Sequence, residues 1–179
     1  FLVPERRNLQ LVHVLYGSTL DGRSGPVALL ERARTYVLSA DGKSVFVAAD
    51  TAPTPSGPAR TELYDVPALG GNPRRLATAA VQELQLAERL ARVVYSATSD
   101  AGPGLFSVPS DGSADPVRLS GPEATSGRFL TDLLQISPDG KRALYAADNQ
   151  ALYSVLVDGS QPPVRLNGPA LQGQPFGST

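Results

Sequence analysis

Few residues in this 179-residue chain have chemistry to offer. His13 is the single histidine. It sits in LQLVHVLYG, a stretch patterned as a strand, and a general base needs a nucleophile or carboxylate within hydrogen-bond reach. No neighbouring motif places one, so a structural or surface role is expected for His13. Serine hydrolysis would ask for a Gly-x-Ser-x-Gly elbow, and Gly17-Ser18, Gly22-Arg23-Ser24-Gly25 and Gly112-Ser113 do not fit it. There is no cysteine, so neither a thiolate nucleophile nor a cysteine-held metal is possible. No catalytic residue is assigned.

The carboxylates and cations recur in a pattern. Asp41, Asp111, Asp139 and Asp158 each precede a glycine, as oxygen ligands in calcium-binding turns can. Calcium needs several oxygens converging at close spacing, however, and each of these aspartates stands alone, so turn formation is the expected role. Ser99-Asp100 and Asp148-Asn149 are the next places a cation could sit. Arg74, Arg75, Arg118 and Arg165 recur at matching places and could form a ring for anions, but arginines flanking a leucine on an outer strand would face solvent or a neighbouring carboxylate. Tyr16, Tyr64, Phe106 and Tyr153 also recur in register, and packing between sheets accounts for them. No metal or cofactor is assigned, and the binding residues stay unassigned.

The elements that carry these residues repeat. Ile136 to Leu166, ISPDGKRALYAADNQALYSVLVDGSQPPVRL, reads as four strands separated by Asp-Gly punctuation and proline-containing spacers, which makes one antiparallel sheet. Its second half recurs as Leu15-Tyr16, Leu63-Tyr64, Leu105-Phe106 and Leu152-Tyr153, a period of about 42 to 48 residues, which belongs to propeller blades. Its first half recurs as Leu38-Ser39-Ala40-Asp41-Gly42-Lys43, then in a degenerate copy, Leu86-Ala87-Glu88-Arg89-Leu90-Ala91, that lacks Asp-Gly. A two-residue primed hairpin turn would suit the Asp-Gly corners. VQELQLAERLA over 81–91 contains good helix formers, but the repeat frame favours a strand. Gly and Pro, 17 and 16 in number, fit a chain full of turns.

The expected fold is therefore all-β, a single incomplete β-propeller segment over 1–179 with about fourteen strands. It comprises a partial blade of two strands over 8–30, full blades over 32–77, 81–119 and 126–166, and a turn-rich tail over 167–179. Residues 1–7 are expected to be the remnant of an earlier strand. The proline-rich stretch over 51–59 should project from one rim as a loop.

These repeats resemble the PD40 (WD40-like) repeats of the TolB-like propeller family. The resemblance spans about Leu15 to Leu166 and is strongest at Ser137-Pro138-Asp139-Gly140-Lys141 and the Leu152-Tyr153-Ser154-Val155 strand. It implies four-stranded blades around an axis and a non-catalytic role in binding a protein, peptide or cell-envelope ligand. Members include periplasmic proteins that dock a peptidoglycan-associated lipoprotein, so the expected location is periplasmic or secreted. Related blades form the propeller domain of prolyl-oligopeptidase-type serine hydrolases, which is the alternative reading. Three and a half units fall short of a ring. The exposed edge should be covered by the rest of a longer parent chain, by a second copy completing the ring as a homodimer, or by a partner protein. The parent chain is favoured, because Phe1 is not a translational start.

Charge and hydropathy exclude other partners. The formal net charge is −1, which gives no basic face for nucleic acid or an anionic membrane. No apolar run reaches the roughly 18 residues of a membrane span. Only Lys43 and Lys141 are lysines among the 16 basic residues, a bias that suits a GC-rich bacterial genome.

Overall fold

The computed structural model describes residues 1–7, 10–19, 21, 23, 25–52, 60–99, 102–121, 133–147 and 151–167. Within them the chain is built of antiparallel strands. The first sheet has the order β1 (Leu2–Arg7), β2 (Gln10–Gly17), β3 (Val27–Glu31). The second runs β4 (Ala33–Leu38), β5 (Ser44–Asp50), β6 (Thr61–Pro67), β7 (Arg74–Thr78). The third runs β8 (Ala80–Ala87), β9 (Arg92–Ser99), β10 (Gly102–Pro109), β11 (Val117–Arg118). The fourth runs β12 (Gln135–Ile136), β13 (Arg142–Ala147), β14 (Ala151–Leu156), β15 (Val164–Arg165). The architecture is an incomplete propeller.

Each sheet stacks on the next in chain order, and three apolar clusters fill the joints. Leu15 and Leu29 meet Val45, Val47 and Val66 between the first and second sheets. Phe46, Leu63 and Leu76 meet Val93, Tyr95 and Val108 between the second and third. Val94, Leu105 and Leu119 meet Ala143, Tyr145 and Val155 between the third and fourth. Central strands are consequently buried on both faces, as in β5 from Val45 to Ala49 and β10 from Gly104 to Val108. They read as apolar runs because each face has a sheet against it. The first strands β4, β8 and β12 lie beside one another along the inner side, and after the buried Ala33 β4 alternates between exposed and half-buried residues.

One expectation is corrected and two are made specific. The first unit, expected as two strands over 8–30 with 1–7 as the remnant of an earlier strand, has that earlier strand: Leu2–Arg7 pairs along β2 from Leu2 opposite Leu15 to Arg7 opposite Gln10. The count therefore reaches fifteen strands among the described residues. Pro4 is tolerated there because β1 ends the sheet, where a missing N–H removes nothing from the free edge.

The correction concerns the Asp-Gly corners, which are not two-residue primed turns. Both primed types need positive φ at the first central residue, here the aspartate, and among the described residues positive φ outside glycine occurs only at Arg32 and Ala91. Instead the Gly42 N–H donates to the Ser39 carbonyl at 2.9 Å, and Ser39 then pairs with Ser44, making a longer turn with Gly42 left-handed at φ 69°. Gly140, Gly112 and Gly159 close on Ser137, Pro109 and Leu156 in the same way.

The degenerate corner, expected to turn differently and to leave 81–91 as a strand, does so. β8 is a strand to Ala87, then Glu88–Leu90 form a short 3-10 turn and Ala91, at φ 48°, takes the left-handed place. The Glu88 carboxylate accepts the Ala40 N–H, tying this corner to that of the second sheet. The helical alternative for 81–91 fails because Val81 and Leu84 are needed in the second joint.

The loop over 53–59, the start of the last unit over 126–132, and the tail beyond Asn167 lie outside the described residues. No helix among the described residues is long and apolar enough to cross a membrane.

Candidate binding cleft between the second and third sheets

The residues singled out in the sequence are placed separately. His13 is exposed on β2 and lines a recess of about 320 Å³ with Arg32, Arg34 and Asp50. Asp50 is held by Arg34 at 2.8 Å, so the carboxylate in that recess already has its cation.

The aspartates act within their own turns. The Asp41 carboxylate accepts the Ser39 hydroxyl at 2.7 Å and the Lys43 N–H at 3.0 Å. Asp139 repeats this with Ser137 at 2.6 Å and Lys141 at 3.0 Å. Asp111 and Asp158 accept the N–H of Ser113 and Ser160. These bonds favour the charged form and hold all four carboxyls below the ordinary value of 3.8, with the serine bond as the leading cause in Asp41 and Asp139. Among the described residues no three acidic or histidine side chains gather where a metal ion would fit. Asp100, Asp148 and Asn149 lie outside the described residues.

The arginines do not converge either. Arg74 pairs with Asp65 at 2.6 Å, and Arg75 with Glu62 at 3.2 Å. Arg118 donates to the carbonyls of Pro103 at 2.8 Å and Ser120 at 3.2 Å and lies over the Phe106 ring at 5.9 Å. Arg165 reaches the Asn167 side chain at 3.4 Å. Each braces the outer strand of its own sheet.

The recurrent aromatics pair across strands. Tyr153 stacks on Tyr145 at 5.4 Å, Phe106 on Tyr95 at 5.7 Å, and Tyr16 on Phe1 at 5.7 Å. The Tyr64 hydroxyl donates to Glu62; burial, aided by that bond, pushes the phenol up to about 12.

A concave site does form where the outer strand of the second sheet meets the third. The cleft has a volume of about 450 Å³. Residues 75–79 of β7 and its continuation make one wall, Tyr95 and Phe106 make the floor, and the loop over 112–116 makes the lip. Glu62 fixes the β7 wall by accepting from both Arg75 at 3.2 Å and Thr78 at 3.4 Å. Tyr95, 1% exposed, is buried at the floor, and burial raises its phenol above the ordinary range.

Sequence reasoning missed Tyr95, which lies in the copy that has lost Asp-Gly. Its signal is positional: in the pairing ladder it opposes Phe106 as Tyr145 opposes Tyr153 and Val47 opposes Tyr64.

No protein-family model and no curated protein matches this chain. Among solved structures it is similar to a putative TolB from Agrobacterium tumefaciens, with a TM-score of 0.58 and 21% identity over 89% of this chain. The likeness fixes the fold. The chain spans 58% of that protein's length.

Proposed function

We propose that this chain is a non-catalytic TolB-like propeller module that binds a protein or peptide ligand of the cell envelope, outside the cytoplasm. The observation that carries the reading is the fold it shares with the putative TolB. The physical arrangement supports it. Sheets buried on both faces form a stiff frame, and a stiff frame can hold loops and clefts in fixed positions for a partner. The cleft of about 450 Å³ sits within the roughly 300–1,000 Å³ range of ligand pockets, and its wall is braced by Glu62.

The test uses the natural full-length protein in its own cells. External protease should digest it in spheroplasts while a cytoplasmic marker survives, and the purified protein should leave a prolyl peptide anilide unhydrolysed. Protection from protease, or turnover of the anilide, would overturn the reading; turnover would favour the propeller of a serine hydrolase.

A further inference from the structure

The link between the first and second sheets is a single residue, Arg32. It stands at φ 58°, a left-handed backbone that disfavours a β-carbon and that glycine adopts without penalty. The other left-handed residue outside glycine among the described residues, Ala91, takes the place that glycine holds at the matching corners. Arg32 has no such account, because the corresponding link from the second sheet to the third, at Ala79, is not left-handed. Strain of this kind gathers at functional sites, and Arg32 lines the recess of about 320 Å³ with His13, Arg34 and Asp50.

The lining of this recess is polar, and its charges do not cancel. Asp50 is the one carboxylate among the described residues that line it. It is committed within the chain, accepting the Thr61 hydroxyl and the Arg34 Nε–H, each at 2.8 Å. The Asp50 N–H donates to the Arg32 carbonyl at 3.0 Å, so one residue braces the backbone of one arginine and the side chain of the other. Two arginines against one aspartate leave one positive charge, and the His13 ring carries an N–H in either protonation state. That set suits a carboxylate, which is planar, singly charged and able to accept two arginine N–H groups at once.

We propose that the recess between the first and second sheets binds a carboxylate group of an acidic peptide, with Arg32 as its main cation, Arg34 as the second and His13 as a further donor. The proposal rests on the binding role proposed above and names the group that is recognised. Because Asp50 already fixes both arginines, little ordering is left to be done on binding.

The experiment titrates the isotope-labelled chain with N-acetyl-glutamate α-methylamide and, in parallel, with N-acetyl-glutamine methylamide, N-acetyl-alanine and inorganic phosphate, all at one pH and one ionic strength. His13 is the single histidine, so its ring resonances report the recess without ambiguity. The glutamate probe should shift them, and the glutamine probe, equal in shape but uncharged, should not. N-acetyl-alanine carries its carboxylate at the chain end, so whichever of the two carboxylates binds more tightly names the source, side chain or terminus. Arg32→Gly should weaken the carboxylate about tenfold, the worth of a hydrogen bond between charged groups. It should leave the thermal midpoint unchanged or raised, since glycine relieves the left-handed backbone. A merely structural Arg32 would do the reverse. Equal shifts from the glutamate and glutamine probes, tighter binding of phosphate, or an Arg32→Gly variant that binds the carboxylate as the wild type does would overturn the proposal. The failures are separable: a protein that is protease-accessible in spheroplasts but whose His13 signals ignore every probe refutes the recess and leaves the binding module standing.

Discussion

The third and fourth sheets hold the same side chains in the same ladder and use them differently. Val94 opposes Ser107 in the third as Leu144 opposes Ser154 in the fourth. Arg92 donates to the Ser107 hydroxyl at 2.7 Å, and Arg142 to that of Ser154 at 3.2 Å. Leu105 and Leu119 of one correspond to Leu152 and Leu166 of the other. Yet Leu119 is 3% exposed and Leu166 is 51% exposed. The fourth sheet lies on the third, and among the described residues no sheet lies on the fourth. A blade motif therefore encodes a face able to be buried; only the neighbouring sheet turns it into stability.

The largest consequence is in core truncation. Leu105→Ala empties a site that is fully buried in the third joint and should cost about 2–5 kcal/mol. Leu152→Ala removes the same atoms from a half-buried place and should cost about 1 kcal/mol. Urea unfolding at several protein concentrations reads both. Equal costs would break the comparison, and a cost for Leu152→Ala that grows with concentration would show a second copy covering the fourth sheet.

The next effect lies in the joint itself. Gly159 is left-handed at φ 72°, and a Cβ there would stand 2.7 Å from Val117 Cγ1 of the third sheet. Gly42 is left-handed at φ 69° but would meet nothing. Left-handed backbone costs alanine about 1–2 kcal/mol at either place, and forcing Val117 aside adds about 1–3 kcal/mol at Gly159. Gly159→Ala should therefore lower the thermal midpoint clearly more than Gly42→Ala. Similar midpoints would mean that the fourth sheet sits loosely on the third.

How far this was legible follows from where each feature gets its cause. The sheets were legible because the repeat places Leu-Tyr or Leu-Phe strands and glycine corners at a steady period. The turn type was not, because it depends on Ser39 and Ser137, which accept the Ser44 and Arg142 N–H across the corner, and not on the Asp-Gly pair alone. Residues 1–7 were expected as the remnant of an earlier strand, and LVPERR is charged and contains proline, features that an edge strand tolerates. The cleft could not be read at all. Its floor, wall and lip come from the second and third sheets, which no single run of the sequence brings together. The difference between Leu119 and Leu166 was equally hidden, because both stand in the same Val-Arg-Leu run.

The smallest effect tests whether a sheet covered on both sides and the last sheet are equally well formed. Asp41, in the second sheet, and Asp139, in the fourth, make the same serine and backbone bonds, all inside their own turns. Their carboxyls should titrate alike and below 3.8, whatever covers the sheets, and carbonyl-carbon NMR can follow each one. A folded-state value lowered in this way stabilises the fold above the unfolded value and loses that contribution as pH falls through the folded one. Stability should hold above about pH 5 and decline below 3.8, with Ser39→Ala and Ser137→Ala each reducing the decline. If Asp139 titrated at the ordinary value while Asp41 stayed depressed, the corner of the fourth sheet would be open in solution. Gly140 approaches Arg89 of the third sheet, so an open corner would loosen the joint there as well. The exposed face of the fourth sheet would then reflect a sheet that needs a neighbour in order to fold, not one that is folded and merely uncovered.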